Sequence, residues 1–142
     1  MRWVVVISAL LVFGIGAVVS ISFYRETLQP DGVVVQGILS HSLDDGYNPV
    51  DPTGTFAPAE PFRLSVRVEG AAPNSIVTVR WRYGAEVINS QDQVIGVEVA
   101  PYVLGFELAR SDDVWPEGDY SVELLLNHER VGELAFRVES PG

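Results

Sequence analysis

The sequence predicts an all-β domain, an antiparallel sandwich of about seven strands in two layers, preceded by a single N-terminal transmembrane helix. Three observations lead to this prediction. Residues 3–24 form a run of 22 residues without a charged side chain. From residue 33 onward, apolar and polar residues alternate in short runs separated by clusters rich in Gly, Pro, Asn and Asp. No helical periodicity and no internal repeat follows residue 30.

The uncharged run from Trp3 to Tyr24 is long enough to cross a bilayer as a helix. At about 1.5 Å per residue it spans a hydrocarbon core of about 30 Å, and its terminal aromatic residues suit the two interfaces. Ser20 and Ser22 mark a possible signal-peptidase site, but secretory apolar cores are usually shorter than this run. We therefore predict an uncleaved signal anchor, with a secreted protein as the alternative.

The charges that flank this run bear on its orientation. Arg2 precedes it, whereas Arg25 follows it and is itself followed by Glu26, so the positive-inside bias is small. The acidic remainder of the chain and the signal-like start favour a cytoplasmic N-terminus and an extracytoplasmic domain in a single-pass protein of the cell membrane. The expected organisation is a helix at 1–24, a linker at 25–32, a sandwich at 33–139 and a tail at 140–142.

The composition narrows the classes of partner. The net charge of −10 argues against nucleic acid and anionic lipid headgroups, because phosphate contacts need clustered basic side chains. The chain has no Cys, hence no disulfide and no thiolate site. It also has no phosphate-binding or dinucleotide-binding glycine motif. We therefore expect no cofactor and no small-molecule substrate, and other membrane or envelope proteins as partners.

The clearest strand pattern runs from Phe62 to Glu69, where apolar residues alternate with Arg, Ser and Glu. A Pro-rich and Gly-containing segment at 41–61 is typical of a loop, and residues 86–99 predict one or two short strands. The remaining strands are expected at 33–40, 77–83, 102–108, 120–127 and 134–138.

Four residues carry an architectural signature. Trp81 lies in a predicted inner strand, and Trp115 begins the Trp-Pro-x-Gly turn that leads through Gly118 to Tyr120. With these residues, the segment Val33–Val138 resembles an immunoglobulin-like sandwich of the bacterial cell-surface kind. The resemblance implies a buried Trp81, a Tyr120 hydroxyl that bonds a backbone carbonyl, and a positive φ at Gly118. It implies little about activity, because many unrelated functions share this fold.

Two acidic groups are candidates for chemistry. His41, Asp44, Asp45 and Asp51 could supply oxygen and nitrogen ligands to a metal ion, but their spacing lacks the alternation of a calcium loop. A solvated acidic loop is the favoured interpretation, so no metal ligand is predicted.

The second group surrounds Trp115. Paired carboxylates could perform glycosidase-type catalysis across a cleft, but a polar loop at the end of the sandwich is favoured. No nucleophile elbow accompanies the two histidines. We therefore predict that the protein is not an enzyme and has no catalytic residue; this group comprises Asp112, Asp113, Glu117 and Asp119.

Six residues are candidates for partner contact. If two predicted strands lie side by side, their arginines form one basic stripe, and if they lie in different sheets the arginines are ordinary solvent-facing residues. The arginines are Arg63, Arg67, Arg80 and Arg82. Tyr47 and Phe56 lie in the Pro-rich loop, where they could either contact a partner or, for Phe56, be buried against the sandwich.

The sequence thus favours a non-enzymatic, membrane-anchored, extracytoplasmic protein that acts by protein–protein contact, as a small accessory subunit of a larger bacterial membrane assembly. The alternative is a surface-exposed module that binds carbohydrate or another envelope component. That alternative predicts exposed aromatic side chains at one end of the sandwich, with Trp115 and Tyr102 as the candidates.

Overall fold

The computed structural model describes residues 32–96, 101–110 and 113–141, and every regular element in these ranges is a β-strand. The strands are β1 (Val34–Leu43), β2 (Pro49–Pro52), β3 (Thr55–Phe56), β4 (Phe62–Glu69), β5 (Ile76–Tyr83), β6 (Glu86–Val94), β7 (Tyr102–Leu108), β8 (Gly118–Leu126) and β9 (Glu129–Val138). The predicted transmembrane helix lies outside the described residues. Among those that are described, no helix has the length and apolar character needed to span a bilayer.

The strands form two sheets. One sheet has four strands in the order β2-β1-β4-β7, and the other has five in the order β3-β9-β8-β5-β6. The predicted all-β architecture is therefore confirmed. All strand pairs are antiparallel except the short pair of β3 with β9, which is parallel and departs from the wholly antiparallel prediction.

The two additional strands arise in the segment predicted as a loop. β2 pairs with the far end of β1, as in Ser42 opposite Val50, and β3 pairs with the last residues of β9. Both are short, and β2 begins and ends with Pro, so local sequence does not indicate a strand. β2 is the return strand of a hairpin with β1, whereas β3 pairs with a strand about 80 residues later in the chain, which a local pattern cannot show.

The sheets meet at Phe62 of β4, which is fully buried. Its ring centroid lies 5.7 Å from that of Trp81, 5.3 Å from that of Tyr120 and 4.8 Å from that of Phe136, all in the five-stranded sheet. Trp115 stacks on Phe62 with a centroid distance of 4.4 Å. Such aromatic contacts add about 0.5–1.5 kcal/mol each beyond the burial of area, so this cluster locks the two sheets together at one end of the sandwich.

Two glutamines of β6 join the open edges of the sheets. The side-chain amide of Gln91 donates to the carbonyl of Glu107 at 2.9 Å, and that of Gln93 donates to the carbonyl of Gly105 at 2.7 Å. Gln91 also accepts a hydrogen bond of 3.1 Å from the indole of Trp81. Because these inward-facing positions are polar, β6 has a weak strand pattern, yet it forms one continuous strand of nine residues.

Candidate functional site

The turn before β8 fixes one end of the sandwich. The Tyr120 hydroxyl donates to the carbonyl of Pro116 at 2.6 Å, and Gly118 between them has φ +142°. The backbone N–H of Trp115 donates to the carbonyl of Pro58 at 2.8 Å, and its indole N–H donates to the carbonyl of Glu60 at 3.0 Å. The Trp-Pro-x-Gly turn is thereby held to the body of the domain by side-chain and backbone bonds.

Tyr83, at the end of β5, covers this turn from the side. Its ring centroid lies 4.6 Å from that of Tyr120, and its hydroxyl donates to the carbonyl of Glu117 at 3.1 Å. A Cβ atom at Gly118 would lie 3.2 Å from Cε1 of Tyr83. The absence of a side chain at Gly118 therefore permits both the backbone conformation and the close approach of Tyr83.

A cleft of about 310 Å³ opens beside these rings, within the usual size of a ligand site. Three parts of the chain form its walls: the hairpin that joins β5 and β6, the end of β7, and the turn before β8. We call it the end cleft; it is lined by Tyr83, Ile88, Asn89, Leu108, Ala109, Arg110, Trp115, Pro116 and Tyr120.

Arg110 differs from the other arginines in the described part of the chain. Its guanidinium carbon lies 5.3 Å from the ring centroid of Trp115, a cation–π geometry. No carboxylate of the described residues lies within 4.0 Å of its side-chain nitrogens, whereas each of the six other described arginines has one. Those six are Arg63, Arg67, Arg80, Arg82, Arg130 and Arg137.

The end cleft also shifts the acidity of a phenol. Burial raises the pKa of Tyr120 above its ordinary value of 10.0, the neighbouring Tyr83 raises that pKa further, and Arg110 acts in the opposite direction. The Tyr120 hydroxyl is therefore neutral around pH 7 and remains a hydrogen-bond donor to Pro116. Because the hydroxyl donates its proton to the Pro116 carbonyl, it cannot donate to a molecule in the cleft.

The four arginines predicted as a possible stripe do not lie on one face. Arg63 and Arg67 belong to β4 in the four-stranded sheet, and Arg80 and Arg82 belong to β5 in the five-stranded sheet. Their positions match the interpretation as ordinary outward-facing residues. Arg63 lies 3.3 Å from a carboxylate oxygen of Glu107, and its guanidinium also donates to the carbonyl of His41 at 2.8 Å.

Arg80 and Arg82 share a buried carboxylate. Oε1 of Glu123 lies 3.2 Å from Nη1 of Arg80 and 3.1 Å from Nη2 of Arg82, and its Oε2 lies 3.3 Å from Nε of Arg130. Arg130 also pairs with Glu133, which stands directly opposite Glu123 across β8 and β9. The Arg130 guanidinium thus offsets the repulsion between Glu123 and Glu133. Together these ion pairs stabilise the outer surface of the five-stranded sheet.

The two aromatic candidates of the Pro-rich loop have different surroundings. Phe56 is fully buried, with ring contacts to Phe62 and Phe136, so the structure supports the alternative in which it packs against the sandwich. Tyr47 is 52% exposed and its ring lies against Gly105 of β7, where a Cβ atom would have no room. Its φ of +68° is unusual for an aromatic residue. Tyr47 therefore remains accessible to a partner.

Two of the four residues considered as metal ligands, His41 and Asp44, have structural partners. His41 bonds the carboxylate of Glu60, and Asp44 accepts from the backbone N–H groups of Gly46 and Asn48 at 2.9 Å each. Asp113 accepts from the backbone N–H of Val114. Within the described ranges, no three His, Asp or Glu side chains are grouped as a metal site would require. Asp112 lies outside those ranges.

Trp115 does not have the exposure that the carbohydrate alternative predicts for it. Its side chain is 7% exposed, because one face stacks on Phe62 and its indole N–H bonds the carbonyl of Glu60. Tyr102 is half-buried, and its hydroxyl accepts from the backbone N–H of Gly96 at 3.2 Å. Of the two aromatic side chains named for the carbohydrate alternative, Trp115 is buried and Tyr102 is only partly exposed.

Sequence reasoning missed Arg110 and Asn89, the polar residues at the end cleft. Arg110 follows β7 and Asn89 lies within β6, and neither belongs to a motif. The signal that bears on Arg110 is a local one: it comes directly after an alternating strand and shortly before the Trp-Pro-x-Gly turn. What brings both residues to one opening is the link between β6 and β7 through the side chains of Gln91 and Gln93, which the local pattern does not show.

No protein-family model and no curated protein matches the chain. Among solved structures, it is similar to the alkylpurine DNA glycosylase AlkC of Pseudomonas fluorescens, with 19% identity and a TM-score of 0.43 over 61% of this chain. It is also similar to the β-glucosidase of Listeria innocua in complex with isofagomine, with 13% identity and a TM-score of 0.46 over 73% of this chain. The matched parts cover 28% and 16% of those two proteins. Likenesses this distant carry no functional argument.

Proposed function

We propose that the protein is a non-enzymatic, membrane-anchored, extracytoplasmic immunoglobulin-like protein that acts by contact with other proteins. In its most specific form, the proposal is that the protein is a small accessory subunit of a larger bacterial membrane assembly. The uncharged run at 3–24 supports the anchor, since its length suits a bilayer. A membrane anchor would confine the domain near its partners and raise their effective concentration.

The immunoglobulin-like assignment is supported by the tyrosine corner and the buried Trp. The Tyr120 hydroxyl bonds an upstream backbone carbonyl, and Trp81 is fully buried in the five-stranded sheet. Both features are typical of immunoglobulin-like sandwiches. They support a rigid domain whose end surfaces, rather than its sheets, vary with function.

The end cleft is the observation that carries the proposal. It combines the apolar side chains of Ile88 and Leu108 with Arg110, a cation that has no carboxylate partner among the described residues. Aromatic and Arg side chains dominate the energetics of protein contacts, where they act as anchors in small pockets. A cleft with this composition suits non-covalent binding to another molecule.

The carbohydrate alternative has one observation in its favour, which is Tyr83 at the cleft beside Arg110. Against it stands the burial of Trp115, whose ring is occupied by Phe62 and by the Arg110 guanidinium. Protein contact is therefore the better-supported form of binding.

The proposal is tested by purifying the tagged full-length protein from its native membrane in a mild detergent and identifying what copurifies by mass spectrometry. Membrane or envelope proteins in fixed stoichiometry, together with an intact N-terminus, are the expected result. Recovery of the protein alone would contradict the subunit proposal, and loss of residues 1–22 would show a secreted protein.

A further inference from the structure

We infer that the end cleft receives a large apolar side chain of a partner polypeptide, and that a carboxylate next to that side chain pairs with Arg110. This inference rests on the proposed function and specifies the chemistry of the contact. It follows from the lining of the cleft, from the state of Arg110 and from the hydrogen bonds of the two tyrosines.

The lining of the cleft favours an apolar group. Ile88 of β6 and Leu108 at the end of β7 line the cleft together with the rings of Tyr83 and Tyr120. Ile88, Leu108 and Tyr83 are each partly exposed, so burial against a partner would remove further apolar surface from water. A volume of about 310 Å³ is sufficient for one large side chain but small for a folded element.

The state of Arg110 favours an adjacent anion. Its guanidinium is held over the Trp115 ring at 5.3 Å, which limits its freedom before any partner arrives. The described residues provide no carboxylate within 4.0 Å of it. On a chain with a net charge of −10, this cation marks a place where an acidic group is attracted rather than repelled.

The tyrosine hydroxyls disfavour a saccharide in the cleft. A sugar presents many hydroxyl groups and needs several polar partners with suitable geometry. Tyr83 and Tyr120 line the cleft, but their hydroxyl protons are donated to the carbonyls of Glu117 and Pro116. The phenol oxygens can then only accept, and apart from Arg110 the one other polar side chain of the lining that can donate into the cleft is that of Asn89. An apolar side chain flanked by one carboxylate needs fewer polar partners than a saccharide and matches the lining side chains better.

The test is site-specific photocrosslinking of the full-length protein in its native membrane. A benzoylphenylalanine is placed at Asn89, which is exposed at the cleft, and in a control protein at Ala135, which is exposed on β9. The expected product is a crosslink from position 89 to a polypeptide, with the attachment mapped beside an aromatic or aliphatic residue that has Asp or Glu within two positions. The control position gives no such product.

Arg110→Glu should lower the yield of that crosslink by about ten-fold or more, because it replaces attraction by repulsion. Arg110→Lys should retain part of it, and changing the mapped partner carboxylate to Arg should restore the yield of Arg110→Glu. Ala109→Trp, which fills the cleft without altering its charge, provides a second variant and should also lower the yield. The melting temperature of each variant is measured to confirm that it folds.

Several outcomes would overturn the inference. A saccharide adduct at position 89 would support the carbohydrate alternative. An unchanged crosslink yield in Arg110→Glu would show that the Arg110 guanidinium does not contribute to binding. Crosslinks at Ala135 but not at position 89 would place the protein contact elsewhere, so the inference would fail while the proposed function stood. No polypeptide crosslink at either position, together with no copurifying protein, would contradict both.

Discussion

The Tyr120 hydroxyl donates a hydrogen bond of 2.6 Å to the carbonyl of Pro116, four residues earlier in the chain. This bond closes the turn at the start of β8 and fixes the wall of the end cleft that Trp115, Pro116 and Tyr120 provide. One hydrogen bond thus couples the stability of the sandwich to the shape of its candidate binding site.

Tyr120→Phe should lower the free energy of unfolding by about 1 kcal/mol, since it removes this bond while retaining the ring. For a domain of this size, the corresponding fall in melting temperature is about 4–8 °C. Thermal unfolding followed by near-ultraviolet circular dichroism measures it. Tyr47→Phe is the matched control, because Tyr47 is exposed and its hydroxyl has no hydrogen bond to the described residues. Equal melting temperatures for wild type and Tyr120→Phe would show that the corner bond contributes no stability.

Stability should fall at alkaline pH through Tyr120. Its pKa is raised in the folded state above the ordinary value of 10.0, mainly by burial. Below about pH 10 both states carry the proton, so this group contributes no pH dependence. Above it the unfolded state loses the proton first, and the folded state is progressively destabilised as pH rises through the folded pKa.

The comparison of wild type with Tyr120→Phe isolates this effect from the other tyrosines. Denaturant unfolding between pH 8 and pH 11 should show a steeper loss of stability in the wild type than in the variant above about pH 10. Parallel pH profiles would mean that Tyr120 does not titrate differently in the folded protein.

Gly118→Ala should destabilise the fold by about 1–3 kcal/mol. Gly118 has φ +142°, where a residue with a Cβ atom is strained, and that atom would press against Tyr83 at 3.2 Å. The control is Gly132→Ala in β9, whose Cβ would make an ordinary contact of 3.8 Å with Leu124. Chemical denaturation of both variants measures the difference, and an equal effect at the two glycines would contradict the account of the turn.

Glu123→Ala should cost about 1–2 kcal/mol of stability, because Arg80, Arg82 and Arg130 would lose the carboxylate they share. The figure is modest since the three arginines retain access to water. Glu133→Ala, which removes an exposed partner of Arg130 alone, should change stability by less than about 0.5 kcal/mol. Chemical denaturation ranks the two variants, and a larger loss in Glu133→Ala would show that the buried carboxylate does not organise this cluster.

A strand can be predicted from the sequence where its pattern is visible within the strand itself. Strand β4 has the predicted bounds of Phe62 and Glu69. Its eight residues alternate between apolar side chains that face the core and polar ones that face outward, and this alternation is visible in the sequence. β6 was indistinct, since Gln91 and Gln93 face inward to bond carbonyls of β7. β2 is hidden by its two prolines although it pairs with the neighbouring β1, and β3 is a two-residue strand that forms only through pairing with the distant β9.

The candidate site was harder to predict than the fold. The signature residues at the turn before β8 were recognisable from Trp-Pro-x-Gly and Tyr120, but the cleft beside them was not. It arises where the β5–β6 hairpin, the end of β7 and that turn meet, and its cation is distinguished by the lack of a carboxylate partner among the described residues. Whether an arginine has a carboxylate nearby depends on the folded structure and cannot be seen in the sequence.

The central claim is that the protein binds other proteins through the end cleft. Its most direct test is quantitative mass spectrometry of what copurifies with isotope-labelled wild-type, Arg110→Glu and Arg67→Glu proteins from native membranes. Arg67 is the control because it lies on the four-stranded sheet and pairs with Glu69. The account predicts that Arg110→Glu loses about ten-fold or more of a stoichiometric partner while Arg67→Glu retains it. Equal recovery of that partner with all three proteins would contradict the claim.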